Sequence, residues 1–121
     1  MTMKRTLAPI ALAAFVLALA LAPAAAAPRP KTVAVADVEF RPAFLAVRKG
    51  TLVRFNWVDE MTHNVTKSSG PGRFFRSRDT SKPGVNFKRR FKKPGRYRLI
   101  CTLHPDDMRM SLRVKRKRTR G

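Results

Sequence analysis

Tyr97-Arg98-Leu99-Ile100-Cys101-Thr102-Leu103-His104-Pro105-Asp106-Asp107-Met108 is the stretch on which the reading of this chain turns. Its first half alternates. Tyr97, Leu99 and Cys101 share one face, with Arg96, Arg98 and Ile100 on the other, the period of a half-buried strand. Beyond Met108, a second strand follows: Met110, Leu112 and Val114 alternate with Arg109, Ser111, Arg113 and Lys115. The two strands read as a hairpin whose tip is the polar, proline-bearing segment between them. That tip holds the only cysteine, one of the two histidines, and a methionine four residues past that histidine.

The other histidine, His63, lies upstream in Thr62-His63-Asn64-Val65-Thr66. A thiolate, two imidazoles and a thioether are the ligand set of a blue copper site, His₂Cys in a plane with a weak axial sulfur. Copper is therefore expected at His63, Cys101, His104 and Met108. Each residue has a plainer reading on its own. Lone cysteines are usually inert buried thiols, and methionine is a common core filler. The joint placement, with the cysteine where a strand enters a loop, favours metal. Met110 has the same chemistry, but its parity puts it in the core with Leu112 and Val114. Met61 is a third and weaker candidate. Asn64 suits a supporting role in holding the ligand loop, or is an ordinary turn asparagine.

The rest of the chain reads as short strands between turns. Thr32 to Phe40 is a first strand, interrupted by Arg41-Pro42, and Phe44 to Val47 resumes extended structure. Lys49-Gly50 is a turn, after which Val53, Phe55 and Trp57 form an apolar face. Ser68-Ser69-Gly70-Pro71-Gly72 is a loop, Arg73 to Arg76 has the look of a short strand, and Arg78 to Gly84 reads as an exposed loop. Val85, Phe87 and Phe91 share one parity, and Lys93-Pro94-Gly95-Arg96 suits a type II turn. Short strands, frequent turns and no helical period predict an all-β, single-domain sandwich.

The N-terminus reads as a secretory signal peptide spanning residues 1–27. Lys4 and Arg5 form its charged start, Leu7 to Leu21 its apolar run, and Ala22-Pro23-Ala24-Ala25-Ala26-Ala27 its cleavage region, after Ala26 or Ala27. An uncleaved anchor fits less well, because the apolar run is short and bracketed by Pro9 and Pro23. Export to the periplasm or cell envelope, or secretion, follows. A lone thiol in an oxidising compartment is exposed to oxidation unless something occupies it, and a metal does so. The domain is expected over 28–115, with a basic tail at 116–121. Beyond the leader lie 25 of the 27 Lys and Arg and all 7 Asp and Glu, a formal charge of +18. Such charge attracts anionic partners: an acidic redox protein, or an anionic envelope lipid or polymer. The plainer reading is a solvated face and a disordered tail. The export signal and the lack of an aromatic-interleaved platform argue against nucleic acid. A monomer is expected.

Phe40-x-Pro42, Lys49-Gly50, His63-Asn64-Val65, Pro94-Gly95-x-Tyr97 and Cys101-x-x-His104 with Met108 together resemble the cupredoxin family, its plastocyanin, amicyanin and pseudoazurin branches above all. The resemblance runs from the first strand to Val114. It implies a Greek-key sandwich and copper ligands at His63, Cys101, His104 and Met108. It also implies an exposed edge of His104 at an apolar surface as the electron port. The His104-to-Met108 interval lies between the shorter amicyanin and the longer plastocyanin spacing. The expected function is a one-electron carrier cycling between Cu(I) and Cu(II), with no catalysis because no open coordination position is evident. Two alternatives stand beside it: a copper carrier or storage protein without a redox partner, and a basic envelope-binding sandwich with a vestigial site.

Overall fold

The structure is a computed structural model and describes residues 27–116. Eight strands and no helix occur among them: β1 (Lys31–Ala36), β2 (Glu39–Arg41), β3 (Phe44–Arg48), β4 (Thr51–Trp57), β5 (Thr66–Ser69), β6 (Gly84–Phe91), β7 (Gly95–Ile100) and β8 (Arg109–Lys115). They form two mixed four-stranded sheets, ordered β2-β1-β4-β6 and β3-β8-β7-β5. The pairs β1·β4 and β3·β8 are parallel, and the others are antiparallel. The all-β sandwich is thus as the alternation requires. No described helix is long and apolar enough to cross a membrane.

Burial follows the period of two read from the sequence. Val53, Phe55 and Trp57 on β4, Tyr97 and Leu99 on β7, and Met110, Leu112 and Val114 on β8 all point between the sheets. Val33, Val35, Phe40, Val65 and Phe91 close the same core, which continues without a break to Cys101 and Met108. Each large apolar side chain buried this way contributes about 1.5–3 kcal/mol. The core thus fixes the register of the strands that carry the ligand loop. The hairpin of β7 and β8 pairs Tyr97 with Leu112, Leu99 with Met110 and Ile100 with Arg109, and its tip is the segment Cys101–Met108.

Four details differ from the sequence expectation. The first strand is two, β1 and β2, folded back at Asp37 and Val38, both with positive φ (49° and 61°). Such turns usually carry Asn-Gly, so a valine there gives no warning. Ser68 and Ser69 belong to a strand, β5, paired with β7. Its sequence TKSS has no apolar residue to reveal it, because Lys67 turns inward and donates to the carbonyls of Pro71, Gly72 and Arg73. Arg73 to Arg76 is not a strand and contributes only an isolated bridge from Arg76 to Thr66. Lys93–Arg96 is not a tight turn: β6 and β7 lie in different sheets, and the chain crosses between them. Gly95 is required there, since a Cβ would lie 2.6 Å from Pro71 Cγ. The signal peptide expected over 1–27 and the basic tail expected over 116–121 lie outside the described residues except at Ala27 and Arg116.

Candidate metal centre

Cys101 continues the inward face of β7 one step beyond the strand's end, so its thiol is buried between the sheets rather than in the loop's solvent. Three backbone bonds shape the loop around it. Cys101 N donates to Met108 O at 3.0 Å, His104 N to Cys101 O at 3.1 Å, and Met108 N to His104 O at 2.9 Å. The loop therefore closes on itself and presents His104 back toward the thiol. Cys101 Sγ and His104 Nδ1 are 3.7 Å apart.

His63 comes from a different part of the chain and is fixed by distant partners. Its backbone exchanges two hydrogen bonds with Thr80, at 3.0 and 3.1 Å. The Thr80 carbonyl also accepts from Trp57 Nε1 at 2.9 Å. The ring is fully buried, and its Nε2 lies 3.1 Å from both carboxylate oxygens of Asp59. An ionised carboxylate only accepts, so Nε2 carries the proton and Nδ1 keeps its lone pair. Among the described residues, His63 Nδ1 is the one buried side-chain polar atom without a hydrogen-bond partner. Asp59 is itself held by the amides of Asp37 (2.8 Å) and Met61 (3.2 Å). Burial pushes its carboxyl up, but the bond from His63 and those two amides outweigh this and hold it below the ordinary range.

Nitrogen or sulfur donors of His63, Cys101 and His104 all lie within 4.8 Å of one another. That spacing fits one ion. Bonds of about 2.0 Å to nitrogen and about 2.3 Å to sulfur, as zinc makes with these ligands, separate the two atoms by about 3.7 Å when they subtend about 120°. The Cys101–His104 distance matches this. A lone pair buried without a partner costs about 1–3 kcal/mol, and a metal at the centre of the three donors would satisfy it. The imidazole rings of His63 and His104 sit 5.4 Å apart between centroids, close enough to share an ion, and His63 Nδ1 makes no hydrogen bond.

Asn64 ties the two halves together. Its backbone N–H donates to Cys101 Sγ at 3.4 Å. Its side-chain oxygen accepts from Thr102 N at 3.1 Å and from Thr66 Oγ1 at 2.7 Å, and its amide donates to Asp79 Oδ1 and Thr102 Oγ1. A donor to the cysteine sulfur and a cross-link between the ligand-bearing segments are what a supporting residue supplies.

Of the residues singled out in the sequence, His63, Cys101 and His104 converge. Met108 is fully buried and adjoins both Cys101 and His104 through its backbone. Met110 lies in the core opposite Leu99, and Met61 is 42% exposed. His104 is half-buried between exposed Leu103 and Pro105. Sequence reasoning missed Asp59, Thr80, Asp79 and Thr102. Only Asp59 left a trace, a carboxylate four residues before His63; Thr80 reaches His63 through tertiary structure alone.

A family model described as a cupredoxin-like domain matches residues 9–114. Among solved structures, a reduced single-site mutant of amicyanin superposes with a TM-score of 0.64 at 25% identity, over 71% of this chain and 82% of that one. A second reduced amicyanin mutant gives 0.62 at 26% identity, over 69% and 80%. A Cu-containing nitrite reductase from Thermus scotoductus SA-01 gives 0.64 at 26% identity, over 74% of this chain and only 23% of that one. No curated protein sequence matches the chain significantly.

Proposed function

The chain belongs to the cupredoxin-like family, and from that premise we propose that it is an exported copper protein carrying single electrons between redox partners. The observation that carries this reading is the convergence of His63, Cys101 and His104 on one point, with a buried His63 lone pair facing no partner. These three residues would hold copper, with the thioether of Met108 as the fourth donor. Copper held there would supply a centre that gains or loses one electron, a soft thiolate and thioether favouring Cu(I) and the imidazoles still accepting Cu(II).

The chain's own contribution is to hold the donors still. Asp59 fixes the N–H of His63, Asn64 links the Cys101 sulfur to the Thr102 backbone, and the Cys101–Met108 bond closes the loop. Donors locked by packing and hydrogen bonds need little rearrangement when charge changes, which keeps the barrier to electron exchange low. The half-buried edge of His104, between Leu103 and Pro105, is the route by which an electron leaves. The redox partner meets this end; an acidic protein suits the positive charge. Residues 1–27 serve as the export signal, placing the 28–115 domain in the periplasm or cell envelope, as a monomer. We read the protein as a carrier and not as an enzyme; the nitrite reductase it resembles is a far longer chain.

The Cu(II) protein is expected to be intensely coloured by thiolate-to-copper charge transfer, with narrow copper hyperfine splitting in electron paramagnetic resonance. Cys101→Ser should abolish the colour, since a hydroxyl cannot replace the soft covalent ligand. A colourless, weakly held Cu(II) in the native protein would overturn the assignment. A tightly bound, coloured copper that does not cycle reversibly would favour a storage or carrier role instead.

A further inference from the structure

The two sheets differ in what they show to solvent. On strands β3, β8 and β7 of the sheet β3-β8-β7-β5 the outward positions are Phe44, Ala46 and Arg48, then Arg109, Ser111, Arg113 and Lys115, then Arg96, Arg98 and Ile100. Six of these ten are cations and none is an acid. Arg96 stands directly opposite Arg113, and Arg48 opposite Lys115. Like charges facing each other across a sheet are destabilising. Of these six cations, only Arg109 has a carboxylate of the described residues within ion-pair distance, Asp106 at 3.5 Å. The other sheet shows four cations, Arg41, Arg54, Lys88 and Arg90, and one acid, Glu39, among Thr32, Ala34, Leu52 and Asn56, and Arg41 is paired with Asp37 and Glu39 at 3.1 Å.

The position of this charge matters as much as its amount. Arg96, Arg113, Arg48 and Lys115 lie at the far end of the strands from the ligand loop, roughly five to seven residues away, or about 17–23 Å at the rise of a strand. A redox partner docked on His104 would not cover them. Between Arg96, Arg113, Lys115 and Arg116 runs a groove of about 560 Å³ whose walls include Pro94 and Val114. Phe44, 59% exposed, projects from the same face beside Ser111. A flat cationic array, a groove of headgroup size and one exposed aromatic are the features of a surface that rests on anionic lipid.

We propose that the outer face of the β3-β8-β7-β5 sheet binds an anionic lipid surface, its arginines and Lys115 engaging headgroup phosphates. The sheet lies flat on the membrane, and the His104 end stays free for electron exchange. Two independent contacts then coexist on one small domain, and the like-charge pairs are offset by the phosphates between them. The proposal is independent of the metal assignment.

The test is sedimentation of the purified protein with vesicles of phosphatidylcholine alone and with vesicles of equal parts phosphatidylcholine and phosphatidylglycerol. The native protein should bind only the second kind. In the triple variant Arg96→Gln, Arg98→Gln, Arg113→Gln, partitioning should fall on the order of a hundredfold, since each cation near such a surface contributes about fivefold. The triple variant Arg54→Gln, Lys88→Gln, Arg90→Gln has the same net charge and should bind within a few-fold of the native protein. Circular dichroism melting checks both folds, and the first variant should melt no lower than the native protein, because it relieves the Arg96–Arg113 pair. Equal losses in the two variants would reduce the effect to diffuse charge and overturn the assignment. So would failure to bind anionic vesicles; binding to polyglutamate in that case would assign the face to an acidic protein.

Discussion

His63 and His104 offer the same kind of donor to one site from opposite surroundings. His63 has no exposed surface and is held by Asp59, by the Thr80 backbone and, through Asn64, by Thr102 and Asp79. Apart from Asp59, four residues upstream, these partners come from segments far apart in the chain. His104 is half-buried, and its loop is shaped by backbone bonds within eight residues, Cys101 to Met108. One side of the site is rigid because remote segments converge on it, the other because a short loop closes on itself. Damage should therefore spread from the first and stay local in the second.

The largest expected effect tests that directly in metal-free protein. His63→Ala empties a fully buried position and strips Asp59 of its partner, so it should cost about 2–4 kcal/mol, the range for buried side chains of that size. His104→Ala should cost about 1 kcal/mol or less, as at partly exposed sites. Denaturant midpoints of the two variants decide it, and equal losses would break the comparison. Next in size is the link between the halves. Asn64→Ala removes the acceptor of Thr102 N and leaves buried groups unpaired, for about 1–3 kcal/mol. Asp107→Ala, at the exposed tip of the loop, should stay within about 0.5 kcal/mol.

Smaller changes in stability separate the two methionines at the base of the loop. Met108→Leu and Met110→Leu are near volume-conserving and should each cost under about 1.5 kcal/mol. If Met108 supplies the axial thioether, its replacement should leave copper bound and raise the reduction potential, because a weak donor to Cu(II) is lost. Met110→Leu should barely move the potential. The reverse pattern in voltammetry would reassign the axial sulfur.

The smallest effect concerns acid. Asp79 is held below the ordinary carboxylate value of 3.8, first by the Asn64 amide and then by Arg76, against a small opposing effect of burial. A depressed carboxyl contributes stability that is complete above its unfolded value and is lost as the pH falls through its folded one. The gap in urea midpoint between native protein and Asp79→Asn should therefore narrow on acidification below the ordinary value. A gap constant with pH would mean that the charge of Asp79 takes no part in holding Asn64.

How much of this was legible in advance depended on the range of each interaction. The inward faces of β4, β7 and β8 were readable because side-chain direction along a strand is set by the chain's own period of two. The same rule placed Cys101 inward, Met110 in the core and the ligand loop at a hairpin tip. Strand β5 was not readable, because Thr66-Lys67-Ser68-Ser69 has no apolar alternation and pairs only once β7 is beside it. The turn at Asp37-Val38 was hidden by a valine where a glycine would have announced it. The crossing from β6 to β7 was mistaken for a turn, since proline and glycine mark a change of direction without saying which sheet receives the chain.

By itself, the sequence determined the class of the fold, the residues facing its core and the four candidate donors, all of which rest on local periodicity or on the chemistry of side chains. Tertiary structure alone decided which nitrogen of His63 is free. That choice rests on Asp59, which is steadied by an amide of Asp37 some twenty residues upstream. It also decided that Thr80 and Trp57 hold the His63 backbone, and that like-charged arginines line up on one outer face. The reason is physical: a hydrogen bond or a charge pair between distant segments exists only after the sheets have closed, and no local pattern encodes where that closure brings them together.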